Sequence, residues 1–212
     1  SPKPASRQLS PKALLVALSV LILLAVGAWR FTAPKIHQPS PEAQRWFEEG
    51  TNALRDGTFI KASQTLERAT SLDPRFRLAW IRLAEAWSEL DSSDKARESV
   101  LQASALPSRG APESETVLFE AVQATLTGDY RTALARHQRI LELAPDAQRP
   151  AALVDLGRAC EKADLPADAI THYQQASRLS PQFAAAFLRL GVLLARRQAT
   201  GGARTAFDEA AS

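Results

Sequence analysis

Apolar positions in this 212-residue chain follow two patterns. The first is a solid block at 13–29, ALLVALSVLILLAVGAW, which carries no charge. The second fills the rest of the chain, where large and small apolar residues recur three and four positions apart. That spacing puts them on one face of a helix. One element repeats through this region, A-x3-[large]-x2-A. It stands at Ala62/Leu66/Ala69, Ala96/Val100/Ala103, Ala133/His137/Ile140, Ala169/Tyr173/Ala176 and Ala203/Phe207/Ala210. The first alanines are 34, 37, 36 and 34 residues apart, so the pattern predicts an array of repeats.

Each unit also predicts an upstream helix with a large residue followed four later by a small one. These pairs are Trp46/Gly50, Trp80/Ala84, Val117/Ala121, Leu153/Gly157 and Phe187/Gly191. A knob beside a close-approach point lets two helices of a hairpin pack tightly. Gly57, Asp91, Gly128, Asp164 and Gln198 mark the turns inside the units, and Pro74, Pro107, Pro145 and Pro181 follow the second helices. Abundant alanine and an aromatic content of 7% suit close-packed helices better than a sheet.

This arrangement resembles the tetratricopeptide repeat, which reads W-x2-L-G-x2-Y, then A-x3-F, then a closing proline. The first unit carries Trp46, Gly50, Gly57, Phe59, Ala62, Leu66, Ala69 and Pro74 in that order. The resemblance implies an all-α helix-turn-helix solenoid of about five repeats in a right-handed superhelix. The units fall at about 43–76, 77–110, 114–147, 150–183 and 184–212, within a repeat domain at 43–212. Glu49 and Glu120 replace the consensus leucine, and His137 replaces an aromatic, so unit three is expected to pack most loosely. No polar capping helix follows the last unit, so Phe207 is expected to lie on an open apolar flank.

The block at 13–31 admits three readings. As a helix, its uncharged core spans about 26 Å, close to the thickness of a bilayer's hydrocarbon core. Lys12 and Arg30 bracket it, which favours a single transmembrane helix. A basic stretch before it and Val26-Gly27-Ala28 near its end also fit a cleaved signal peptide of a secreted or periplasmic protein. A buried core helix is the weakest reading, because the block is apolar all round. The anchor reading expects a basic tail at 1–12, a Pro-rich linker at 32–42 and a repeat domain outside the cytoplasm. The chain contains no methionine, position 1 included, so a processed start or a longer parent chain is expected. The arrangement is similar to the sensory half of bacterial receptor-type serine/threonine kinases and to membrane-bound winged-helix regulators. That likeness implies an effector domain upstream, although none of the effector motifs is present in this sequence.

The net charge of +3 belongs to the tail, where Lys3, Arg7 and Lys12 stand without an acid. From Arg30 onward bases and acids balance at 23 each, so the body has no net field to attract nucleic acid. Neither a phosphate loop nor a nucleophile elbow is present. His37, His137 and His172 lack metal spacing, and Cys160 reads as a small core filler. No enzyme, cofactor, metal or small-molecule substrate is expected.

What remains is the concave face, along which solenoids bind. The resemblance implies ligand contacts at the fifth and ninth positions of each unit. The fifth are Phe47, Ile81, Leu118, Val154 and Leu188, and the ninth are Thr51, Glu85, Val122, Arg158 and Val192. The thirteenth positions, Arg55, Glu89, Leu126, Lys162 and Arg196, add mixed charge beside an apolar floor. Such a groove suits an amphipathic helix or an extended peptide. The lysine and asparagine clamp of chaperone-tail binders is absent. The expected function is therefore a membrane-anchored scaffold for a protein or peptide partner.

Overall fold

Helix hairpins, the first four turned by a residue in the left-handed region, make up the described residues. The computed structural model describes residues 37–196 and 200–211, which hold ten α-helices and no strand. They are α1 (Pro41–Asp56), α2 (Phe59–Leu72), α3 (Arg77–Glu89), α4 (Ser93–Ala105), α5 (Glu113–Leu126), α6 (Tyr130–Leu143), α7 (Arg149–Lys162), α8 (Pro166–Leu179), α9 (Ala184–Arg196) and α10 (Thr200–Ala210). Consecutive pairs form five hairpins, and a 3-10 turn, Asp146–Gln148, leads into α7.

Local chemistry sets the helix ends. The Ser40 side chain accepts a hydrogen bond from the Ala43 amide, and Pro41 occupies the first turn of α1. Gly57 ends that helix at φ 81°, where its amide donates back to the last carbonyls. The same turn recurs at Asp91 (φ 54°), Gly128 (φ 77°) and Asp164 (φ 57°). Glycine adopts this conformation without strain, and aspartate is among the few residues that tolerate it. Gln198, the corresponding residue of unit five, lies outside the described residues.

Within a hairpin, a large side chain of the second helix fills the space left by a small residue of the first. A Cβ on Gly50 would lie 2.6 Å from Leu66 Cγ, and one on Gly191 would lie 2.8 Å from Phe207 Cε1. Gly157 stands against the ring of Tyr173 in the same way. Ala62, Ala96, Ala133, Ala169 and Ala203, the motif alanines, are buried. Leu66 and Tyr173 are fully buried, and each such side chain contributes about 1.5–3 kcal/mol by leaving water. Phe207 remains 38% exposed.

Successive hairpins stack broadly, with the exception of the junction between α4 and α5. There the loop 106–112, turned by Gly110 at φ 88°, separates α4 from α5, and the two hairpins meet instead through α3 and α5, where Ile81, Ala84, Ala103, Leu118 and Val122 form one core. Inside the third hairpin, α5 and α6 pack as closely as their counterparts, and His137 is buried. The looseness expected of unit three is not seen in its packing.

The expected transmembrane helix at 13–31, the tail at 1–12 and positions 32–36 of the linker lie outside the described residues. Among the described residues no helix is long and apolar enough to cross a membrane. The longest, α1, has 16 residues and one strongly polar face, whereas a span needs about 20 predominantly apolar residues. The expectation of a single-pass membrane protein with an extracytoplasmic body is corrected accordingly.

Candidate functional site

Among the described residues, the close backbone approaches between helices that are not neighbours in sequence run among the first helices of the hairpins. Helix α1 meets α3, α7 and α9; α3 meets α5; and α7 meets α9. The first helices thus line the inside of the array, and the first hairpin reaches across to the fourth and fifth.

An ionic network occupies this inner face. Its centre is Asp155 on α7, which is 3% exposed. Arg55 of α1 donates through Nε and Nη2 to its two oxygens, both at 3.1 Å. Arg82 of α3 donates to the same carboxylate at 2.8 Å. Arg158, one turn further along α7, donates to Glu85 at 2.8 Å and to Glu89 at 2.6 Å, both on α3. Lys162 Nζ donates to the Ser88 carbonyl at 2.8 Å. Beyond it, Arg189 and the Tyr173 hydroxyl both donate to Glu161. The Phe59 ring lies between Arg158 and Arg189, with guanidinium carbons 6.0 and 5.8 Å from its centre.

The charges are set by one another. Burial pushes the Asp155 carboxyl up, but Arg55 and Arg82 outweigh it and hold it far below the usual carboxylate range. Burial also raises Glu85, and Arg158 and Arg82 bring it below its ordinary value. His137 faces the same network from α6. Burial lowers its pKa, Glu85 and Asp155 offset this in part, and Arg82 and Arg158 lower it again. His137 Nδ1 and Arg158 Nε have no hydrogen-bond partner, and both residues line a small pocket of about 30 Å³ with Glu85, Glu89, Val122, Thr125 and Lys162.

The ten residues expected to line the groove stand on the first helices of the hairpins, with different exposure. Thr51, Ile81, Leu118, Val122, Val154 and Arg158 are buried. Phe47, Glu85, Leu188 and Val192 are half-buried. The mixed charges noted beside the floor, Arg55, Glu89 and Lys162, pair with other residues of the inner face. Asp155 and Arg82 were not singled out by sequence reasoning. The available signal was a carboxylate inside the apolar run Leu153-Val154-Asp155-Leu156, on a helix expected to face inward. Cys160 is buried and its thiol is pushed up to about 11 by burial, so it stays protonated at neutral pH.

Part of the inner face stays open. A groove of about 500 Å³ runs between α1, α3, the start of α5, the end of α6 and α7. Phe47, Leu78, Leu118, Ile140, Leu143 and Ala151 supply its apolar lining, and Arg55, Arg82 and Asp155 stand along it. Thr51 also lines it, and the buried Thr51 hydroxyl has no partner.

A protein-family model described as tetratricopeptide repeat matches residues 47–114, 127–182 and 155–212. Among solved structures, the chain is similar to MamA 41-end from Desulfovibrio magneticus RS-1, at 18% identity over 82% of this chain and 95% of that one, with a TM-score of 0.43. It is similar to PilW, a widely conserved type IV pilus biogenesis factor, at 20% identity over 81% and 77%, with a TM-score of 0.46. It is also similar to Pseudomonas aeruginosa PilF, at 20% identity over 80% and 75%, with a TM-score of 0.42. No curated protein sequence matches the chain.

Proposed function

The chain belongs to the tetratricopeptide repeat family, and from that premise we propose that it is a non-catalytic scaffold that binds a protein partner through the open part of its inner face. The observation that carries this reading is the groove of about 500 Å³ with a half-exposed apolar lining. Apolar side chains left accessible in a concave surface favour an incoming apolar face. The exposed polar side chains Asn52, Ser114 and Gln148 on its lining suit a ligand that brings polar groups as well, as the backbone of a peptide does. An amphipathic helix or an extended peptide with two or three apolar side chains meets both demands.

The test is selection of peptides from a random library on the immobilised chain, followed by affinity measurement. Leu143→Glu and Ala151→Glu place carboxylates in the groove at half-buried positions. Selected peptides should carry several apolar residues and lose about tenfold or more in affinity to either variant, roughly 1.4 kcal/mol. Peptides that bind both variants as tightly as the parent would move the site off this groove.

A further inference from the structure

Exposure of the large motif residue follows the stacking of the hairpins. Leu66, His137 and Tyr173 are buried, and α3, α7 and α9 pack broadly onto the helices that carry them. Val100 is half-buried, at the thin contact between α4 and α5. Phe207 is 38% exposed, and among the described residues α10 packs against α9 alone. The helices that cover a preceding hairpin share one pattern, A-x3-L-x2-[A/L]. It stands at Ala79/Leu83/Ala86 on α3, Ala152/Leu156/Ala159 on α7 and Ala186/Leu190/Leu193 on α9. Leu83 and Ala86 share a core with Leu66, and Ala186, Leu190 and Leu193 share one with Tyr173. The small residue allows close approach of the two helices, and the leucine one turn later fills the space beside it. At the same positions α5 carries Thr116, Glu120 and Gln123, and α5 is the helix that barely meets its predecessor. On α1 they are Arg45, Glu49 and Asn52, all exposed. The pattern therefore marks stacking within this chain.

We propose that the face of the fifth hairpin around Phe207 docks an amphipathic helix of a partner protein. That helix carries A-x3-L-x2-[A/L] and seats on α9 and α10 as α9 seats on α7 and α8. It continues an interface that the array already makes three times, onto α2, α6 and α8. A second copy fits the face poorly. Its α1 would bring Arg45, Glu49 and Asn52 against Phe207, and pairing of two fifth hairpins would set Phe207 against Phe207 without the alanine and leucine that meet Leu66 and Tyr173. Arg204 is exposed on α10 at the place that Ile170 holds on α8, where Ile170 packs against the core shared with α9. A carboxylate beside the apolar pattern therefore suits the partner helix. This surface is distinct from the groove between α1, α3 and α7 and does not depend on it.

The probe is a fluorescein-labelled peptide with the sequence of residues 76–90, FRLAWIRLAEAWSEL, which holds the α3 pattern together with Glu85 and Glu89. So short a peptide is a poor helix in water, so docking should raise the helix content of the mixture above the sum of its parts. Fluorescence anisotropy against the full chain should saturate. Phe207→Lys should lower the affinity about tenfold or more, as should Leu83→Glu in the peptide. Arg204→Glu should lower it about threefold or more at low salt. Leu143→Glu, in the groove, should leave it unchanged. Phe207 also packs against Gly191, so if Phe207→Lys loses helix content, the exposed Arg204→Glu decides. Absence of saturable binding, or equal affinity for the parent and both α10 variants, overturns the site. Affinity lost to Leu143→Glu instead places the peptide in the groove, which overturns this site and supports the groove reading. A parent chain that is dimeric by light scattering, monomeric as Phe207→Lys and indifferent to the peptide makes a second copy the occupant and overturns the partner helix.

Discussion

His137 stands where the repeat pattern places an aromatic ring, and the ring it replaces would have been indifferent to pH. The imidazole is buried beside Glu85, Asp155, Arg82 and Arg158, and its pKa is lowered, with burial as the largest cause. The fold thus favours the neutral ring, whereas the unfolded chain takes up a proton near pH 6.5. Stability linked to this residue is intact above that value and drains away as pH falls from about 6.5 toward the folded pKa. Urea unfolding midpoints should therefore decline between pH 7 and pH 5, and decline less in His137→Phe. Equal slopes in the two proteins would show that the imidazole is not the titrating group. The small residues work by exclusion. At Gly157 and Gly50, any Cβ would overlap Tyr173 or Leu66, so the hairpin depends on glycine there for space.

The hairpins depend on glycine a second time, in their turns, and for a different reason. Gly128 sits at φ 77° with nothing near the place its Cβ would occupy. Gly128→Ala therefore isolates the backbone cost of a left-handed residue, about 1–2 kcal/mol. A thermal unfolding scan that shows no loss would mean that the turn can adopt another conformation. Asp91 and Asp164 hold the same conformation, which a short polar side chain tolerates best after glycine. These turn positions were legible in the sequence because an αL residue closing a helix is a local requirement. Positions of the second helices were legible for a similar reason, since Ala and a large residue three or four apart must share a face. The thin α4–α5 junction was visible only as the longer spacing in the run Pro107-Ser108-Arg109-Gly110-Ala111-Pro112. That the two hairpins still share a core across it, through Ile81, Ala103, Leu118 and Val122, depends on contacts the spacing does not show.

In the assembled array the first and fourth hairpins meet, and Asp155 is the point where their charges converge. Arg55, Arg82 and Arg158 all approach this one carboxylate, from α1, α3 and α7. Asp155→Ala leaves buried guanidinium groups without their shared partner and should cost about 3–5 kcal/mol in a denaturant titration. A loss below about 1 kcal/mol, the worth of an exposed pair, would mean that the carboxylate is solvated and the inner face more open than the structure shows. The buried state of Ile81 and Val154 also changes how the groove is tested. Glutamate at those two positions would place charge in the core and unfold the array, whereas Leu143 and Ala151 lie half-exposed along the open groove.

Periodicity alone determined the helix hairpins, their turns and the inward-facing first helices, because each follows from spacing within about forty residues along the chain. It also placed the ten candidate groove residues on the first helices. It could not determine which of them a ligand can touch. That was decided by the packing of adjacent hairpins around Ile81 and Val154 and by the return of α1 onto α7 and α9, which joins residues such as Arg55 and Asp155, 100 positions apart. Curvature of a repeat array sums small rotations at every junction, and no single repeat carries that sum in its own sequence. Charges that read as a mixed rim in the linear pattern therefore became, in three dimensions, the pairs that close the face they line.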